Sequence, residues 1–407
     1  MLKLFHTPDG VRDIYGRECQ KKQLLEKKLS RVLSLYGYQF IETPAIEFFD
    51  VFASEVGTTS SKELYKFFDR EGNTLVLRPD FTPSIARASA MYFQKNPLPM
   101  RLCYKGNTFV NNSNYQGRLK ETTQIGMELL GDAGVQADTE AVAMAVEMLK
   151  SCGLSNFQIS IGQVEFFKAL VEEAAMEEET IERLRNLIVN KNYFGVEELI
   201  LSLHLEENLK KAFIKFPQLF GGIEVCLQAK ELTKNEQALQ AIKRLEQVWE
   251  LLSLYDCQDY VTFDLGMLSK YNYYTGIIFQ AYTLGLGEAI LKGGRYDTLL
   301  GHFGKEAPAI GFAIGVDDLS NALLRQGILV DTKEAKCLVL YDVNSQAEAI
   351  FLGQKMRRDG IGSELLLREK EKSIEEYKDY AKNADIQTIF LLEDKEEQVI
   401  DLMEGED

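Results

Sequence analysis

The stretch Leu268–Asp297, LSKYNYYTGIIFQAYTLGLGEAILKGGRYD, constrains the fold of this chain more than any other. It reads as a loop, a strand, a turn and a second strand. Ile277, Phe279 and Ala281 alternate with Ile278, Gln280 and Tyr282, and both faces carry apolar residues. A strand of this kind is buried on both sides, so it belongs inside a sheet covered by further layers. Gly285 and Gly287 mark the turn. At Gly293-Gly294 the backbone can approach a ligand closely or turn sharply. Tyr273, Tyr274 and Tyr296 stand at the strand ends, where a phenol presents a polar tip to a pocket.

The rest of the chain supplies the partners of this hairpin. Glu18–Tyr36 is a helix with Leu25, Leu29, Val32, Leu33 and Tyr36 on one face, stopped by Gly37. A strand over Tyr38–Glu42 follows, then Thr43-Pro44. Thr74–Leu77 is a short strand leading into LRPDFTPSIARASAMYF. There Thr82 suits an N-cap, Pro83 the first helical residue, and Asp80 a helix N-terminus. Met100–Gly131 reads as strand, turn (Asn111–Gly117) and strand, with Gln124, Gly126 and Glu128 on one face. Gln and Glu on one face equally suit a solvated edge. Asp138 is expected to cap a helix reaching about Lys150, and Phe157–Ile161 is a further strand. Residues 164–255 read as almost wholly helical, broken at Gly221-Gly222. Amphipathic spacing at Leu239, Ile242, Leu245, Val248, Trp249 and Leu252 places Trp249 in a core. Ala309–Leu319 is strand then helix.

Domain boundaries follow: a core over 1–325 with a helical insertion at about 164–255, a polar linker over 326–335, and a small α/β domain over 336–407. In the last, Cys337–Tyr341 and Thr388–Leu392 are strands and Ser345–Asp359 a helix. The acidic tail EDKEEQVIDLMEGED is expected to be solvated chain.

Composition narrows the function classes. No run approaches the ~20 apolar residues of a membrane span, and the first residues lack an apolar segment of signal-peptide length. Six scattered cysteines without a CxxC pair fit free thiols in a reducing cytoplasm. Three histidines, none at ligand spacing, predict no metal site, and nothing calls for a cofactor. A net charge of −16 disfavours a nucleic-acid grip and favours protein or small-molecule partners.

YYTG followed by GGRYD resembles the histidine-recognition region of histidyl-tRNA synthetase, and the order of the other motifs agrees over about residues 1–400. The helix, strand and Thr43-Pro44 resemble the first class II motif, which lies at a dimer interface. Phe109 to Glu128 resembles the second, and Ala309–Leu319 the third. The resemblance implies an α+β fold with an antiparallel sheet core and flanking helices. It also implies an anticodon-binding-like C-terminal domain, here cut short. The family holds the histidine amino group with an acid and a threonine, matched by Asp80 (for the usual Glu) and Thr82. It binds histidine further through the matches to Gln124, Glu128, Tyr273 and Tyr274.

Three arginines that handle ATP in that family are replaced here, by Val110, Ser269 and Asp318, and Asn112 stands for an acid. Lys270 adjoins the second of these positions. Each lost group removes on the order of 3 kcal/mol of transition-state stabilisation, so adenylation is expected to be lost. This profile is similar to the regulatory subunits of ATP phosphoribosyltransferase, synthetase paralogues of histidine biosynthesis. The resemblance implies a non-catalytic chain that pairs with a short-form catalytic subunit and provides histidine feedback. It further implies a class II-like dimer and no tRNA. The competing reading is a divergent histidyl-tRNA synthetase that activates histidine with ATP.

Overall fold

The computed structural model describes residues 5–53, 59–112, 118–268, 273–330 and 336–402. The chain forms two compact units, residues 1–330 and 331–407.

In the first unit, α1 (Gly16–Leu35) buries Leu25, Leu29, Val32 and Leu33 as one apolar stripe. The expected strand after it shortens to β1 (Gln39–Phe40). β2 (Ile46–Phe48), β3 (Lys66–Phe68) and β4 (Thr74–Leu77) make a separate antiparallel sheet in the order β2-β4-β3. Helix α2 (Thr82–Tyr92) follows. β5 (Met100–Phe109) and β6 (Glu121–Leu130) pair antiparallel, with Tyr104 opposite Gly126. Ile125, Met127 and Leu129 of β6 enter the main core, which leaves Gln124, Gly126 and Glu128 on the other face.

α3 (Val135–Ser151) crosses to β7 (Phe157–Gln163). Six helices then form the insertion: α4 (Val164–Glu173), α5 (Glu178–Val189), α6 (Tyr193–Ser202), α7 (Glu207–Lys215), α8 (Glu224–Glu231) and α9 (Glu236–Leu254). The break at Gly221-Gly222 is more than a helix stop. Phe220–Gly221 is a short strand, β8, that pairs with β9 (Val261–Asp264) and joins the insertion to the sheet. Trp249 packs edge-on to Phe263 of β9 at 5.9 Å. β10 (Ile277–Thr283), β11 (Leu291–Arg295), β12 (Ala309–Gly315) and α10 (Val316–Arg325) complete the unit.

The nine-stranded sheet runs β1-β5-β6-β12-β11-β10-β7-β9-β8, with parallel pairing only at β1–β5 and β7–β9. β10 is therefore an interior strand, as its two apolar faces require. Ile328 and Val330, within the stretch read as polar linker, pack against the main core.

In the second unit, β13 (Lys336–Tyr341), β14 (Gly362–Leu367), β15 (Thr388–Glu393) and β16 (Glu396–Asp401) form a sheet ordered β14-β13-β15-β16. Helices α11 (Gln346–Arg358) and α12 (Ile374–Asn383) connect its strands. The acidic tail is not all solvated chain. Residues 396–401 pair antiparallel with β15 as an edge strand, where glutamates keep an open sheet edge from recruiting another chain.

Candidate functional site

The site is built on the face of β6 turned away from the main core. Glu128 is 1% exposed. Its Oε1 accepts from the Thr82 hydroxyl at 2.8 Å, and its Oε2 accepts from the Tyr296 hydroxyl. Space for the carboxylate comes from Gly311, which faces Glu128 across the β6–β12 pairing. A Cβ at Gly311 would stand 1.7 Å from Oε2. Burial pushes the Glu128 carboxyl up from 4.5 to about 8; the Tyr296 and Thr82 hydroxyls pull it back, and the Asp80 charge adds to the rise. A carboxyl so shifted keeps its proton near neutral pH and can donate as well as accept a hydrogen bond.

The expectation that Thr82 caps α2 is corrected. The helix begins at Thr82, Phe81 holds the cap position, and no side-chain cap bond forms there. Asp80 does that work, with Oδ1 accepting from the amides of Phe81 (2.6 Å) and Thr82 (3.5 Å). Thr82 is thereby free to aim its hydroxyl at Glu128. Gln124 lies four residues along the same face of β6, about 13 Å away between Cα atoms, and its Oε1 is buried without a hydrogen-bond partner.

The tyrosines close another side. Tyr273 and Tyr274 have ring centroids 4.4 Å apart, and Tyr273 meets Tyr296 edge-on at 6.0 Å. Gly293 and Gly294 make no turn; both lie within β11, and a Cβ at Gly294 would stand 2.7 Å from the Tyr274 ring. Asp80, Thr82, Glu128, Tyr273 and Tyr274 thus converge on one region, with Gln124 farther along the same face of β6. Sequence reasoning missed Tyr104, whose hydroxyl is buried within the same region. It also assigned no partner to Tyr296.

Asp138 is a second correction. Gly134, not Asp138, holds the N-cap position of α3. Asp138 is 0% exposed and is gripped by Arg295 Nε at 2.8 Å and Arg244 Nε at 2.5 Å. Arg295 also donates to the Asp132 carbonyl (3.0 Å) and to Asp297 (3.1 Å). The GGRYD segment is therefore clamped on both sides of Tyr296, which fixes the phenol against Glu128.

The positions matched to the ATP-handling arginines carry no cation. Val110 is half-buried at the end of β5, its amide bonded to the Lys120 carbonyl at 2.8 Å. Asp318 is exposed in the first turn of α10 beside Asp317, which bonds Lys22 at 3.0 Å and the Thr123 amide at 2.7 Å. Arg118 pairs with Glu288. Ser269 and Lys270 fall outside the described residues. Among the described residues, no cluster of three or more acidic, His or Cys side chains could hold a metal, and no helix is long and apolar enough to cross a membrane.

The histidyl-tRNA synthetase family model matches residues 10–319. A regulatory subunit of ATP phosphoribosyltransferase from Acetivibrio thermocellus is 40% identical over 88% of this chain and 86% of its own length. Its counterpart from Ruminiclostridium cellulolyticum is 40% identical over 96% and 93%. The chain belongs to the ATP phosphoribosyltransferase regulatory subunits. A solved relative of this family, described as an ATP phosphoribosyltransferase regulatory subunit/histidyl-tRNA synthetase from Bacillus halodurans, superposes with a TM-score of 0.86. It is 32% identical and covers 96% of this chain and 98% of its own. Histidyl-tRNA synthetase from Nostoc sp. PCC 7120, 21% identical over 99% of this chain and 96% of its own, shares the fold with a TM-score of 0.83. The α+β class II synthetase-like architecture of this regulatory subunit family is thus present nearly end to end.

Proposed function

We propose that the chain is the histidine-sensing, non-catalytic partner of a short-form ATP phosphoribosyltransferase catalytic subunit. The observation that carries this is the unequal state of the inherited site. Its amino-acid half is assembled, with a buried carboxyl that keeps its proton near neutral pH, a second acid at Asp80 and an unpaired buried acceptor on Gln124. Its nucleotide half has Val110 and Asp318 where cations would be needed, and phosphoryl chemistry depends on such cations.

Glu128 and a tyrosine hydroxyl address the imidazole of L-histidine; Asp80, Thr82 and Gln124 take the ammonium. Thr82 has spent its proton on Glu128, so its lone pairs face the ligand as acceptors. Histidine then shifts the assembly toward one state through different affinity for the two, and a coupling of about 1–3 kcal/mol is enough for feedback. Adenylation is lost and tRNA is not a partner. The chain works in the cytoplasm. It self-associates through the sheet face carrying Ile46 and Phe48, both substantially exposed.

The test is reconstitution. Mixed with a short-form catalytic subunit, the chain is expected to switch on phosphoribosyl transfer to ATP, and L-histidine to switch it off. Glu128→Ala is expected to keep the activation and lose the inhibition. Activation with undiminished histidine inhibition in Glu128→Ala would move the feedback site elsewhere.

A further inference from the structure

Tyr104 carries a buried hydroxyl whose oxygen receives no hydrogen bond among the described residues. It is 1% exposed, and no hydrogen bond of acceptable geometry reaches its oxygen. Thr82 is close and can accept the phenol proton, but its own proton goes to Glu128, so it gives the phenol oxygen no donor. Buried hydroxyls are nearly always partnered, and leaving one unpaired is unfavourable. Such an atom points to a missing partner.

Its position says what kind. Tyr104 pairs with Gly126 across the β5–β6 hairpin. A Cβ at Gly126 would stand 2.5 Å from the Tyr104 hydroxyl. That Cβ would lie on the same face as Gln124 and Glu128. The phenol thus fills the gap a glycine opens between these two side chains. The Phe81 ring stacks on it at 4.4 Å and 20°, and the Arg78 guanidinium lies 3.9 Å over Phe81 in turn. Arg78 is held by the carbonyls of Asn107 (2.9 Å) and Thr43 (2.6 Å). The stack fixes the phenol against the site. Asp80 and Glu128 both act electrostatically on it, and its proton is held well above the ordinary phenol range by burial. Its neighbour Gln124 offers a second buried, unpaired oxygen. Two buried oxygens without a donor, beside the acids Asp80 and Glu128, suit a cationic donor with several N–H groups.

The geometry points to Tyr104 as a specificity residue that accepts a hydrogen bond from the α-ammonium of the bound amino acid. This rests on the histidine reading above and adds a residue to it. Gly126 is the companion feature, because any side chain there would displace the phenol. The phenol oxygen gains its donor only when ligand binds.

Tyr104→Phe in the full-length chain separates this from a structural role. Thermal unfolding of the ligand-free variant is expected to be unchanged or shifted upward. Its affinity for L-histidine in calorimetric titration is expected to fall about ten-fold, the scale of one hydrogen bond. Imidazole-propionate, which lacks the amino group, is expected to bind wild type and variant alike. A lower melting temperature in the free variant would show that the hydroxyl already had a partner and would overturn the assignment. Equal histidine affinity in the two proteins would do the same. Wild-type protein that binds no histidine at all would instead remove the reading on which the assignment rests.

Discussion

Glu128→Gln removes one titrating group from the buried face of β6 while keeping its shape. In the folded chain the Glu128 carboxyl titrates at about 8, against an ordinary 4.5. Between these values the folded state holds a proton that the unfolded state has released. The group's contribution to stability is therefore complete below the unfolded value and is lost as pH rises toward the folded one. The slope is about 1.4 kcal/mol per pH unit, which gives an upper limit of about 5 kcal/mol across the window. A glutamine does not titrate, so the variant lacks that slope. Trp249, the chain's only tryptophan, sits on α9 in the first unit and reports on that unit alone. Urea unfolding followed by its fluorescence, at pH 5.5, 6.5, 7.5 and 8.5, measures both proteins. Wild type is expected to lose stability relative to Glu128→Gln by about 1 kcal/mol per unit up to pH 7.5, with the difference levelling off above pH 8. Parallel profiles for the two proteins would refute the burial argument for Glu128.

Other perturbations probe the surrounding frame. Gly311→Ala places a Cβ against Oε2 of Glu128; it is expected to cost about 1–3 kcal/mol in urea unfolding and to abolish histidine binding by calorimetry. Arg295→Met leaves the fully buried Asp138 with Arg244 alone, and a loss of about 3–5 kcal/mol is expected in the same unfolding assay. Ile46→Glu with Phe48→Glu charges the exposed face of β2; light scattering is expected to show a monomer where wild type is a dimer.

How much of this was legible in the sequence depended on whether a signal was local. The boundaries of β4 were read to the residue, because Thr74–Leu77 is bracketed by turn-forming residues. The period-2 pattern of β6 correctly put Gln124 and Glu128 on one face. It did not say that the face was buried, because burial comes from α2, β11 and β12, all distant in sequence. Tyr104 was missed for the same reason: within MRLCYKGNTF nothing distinguishes it from a core aromatic, and only its pairing with Gly126 reveals the role. Thr82 and Asp138 were read as caps because caps are the local use of those residue types. The structure spends Thr82 on Glu128 and Asp138 on two arginines more than a hundred residues away. The acidic tail hid β16, since an edge strand tolerates a composition that an interior strand does not.

The central claim is that the chain retains a histidine site and has shed nucleotide chemistry. Calorimetric titration of the purified chain with L-histidine, with and without ATP, tests it most directly. The account predicts micromolar histidine binding that is indifferent to ATP and lost in Glu128→Ala. Strong ATP binding that enhances histidine binding would contradict it and return the chain to amino-acid activation.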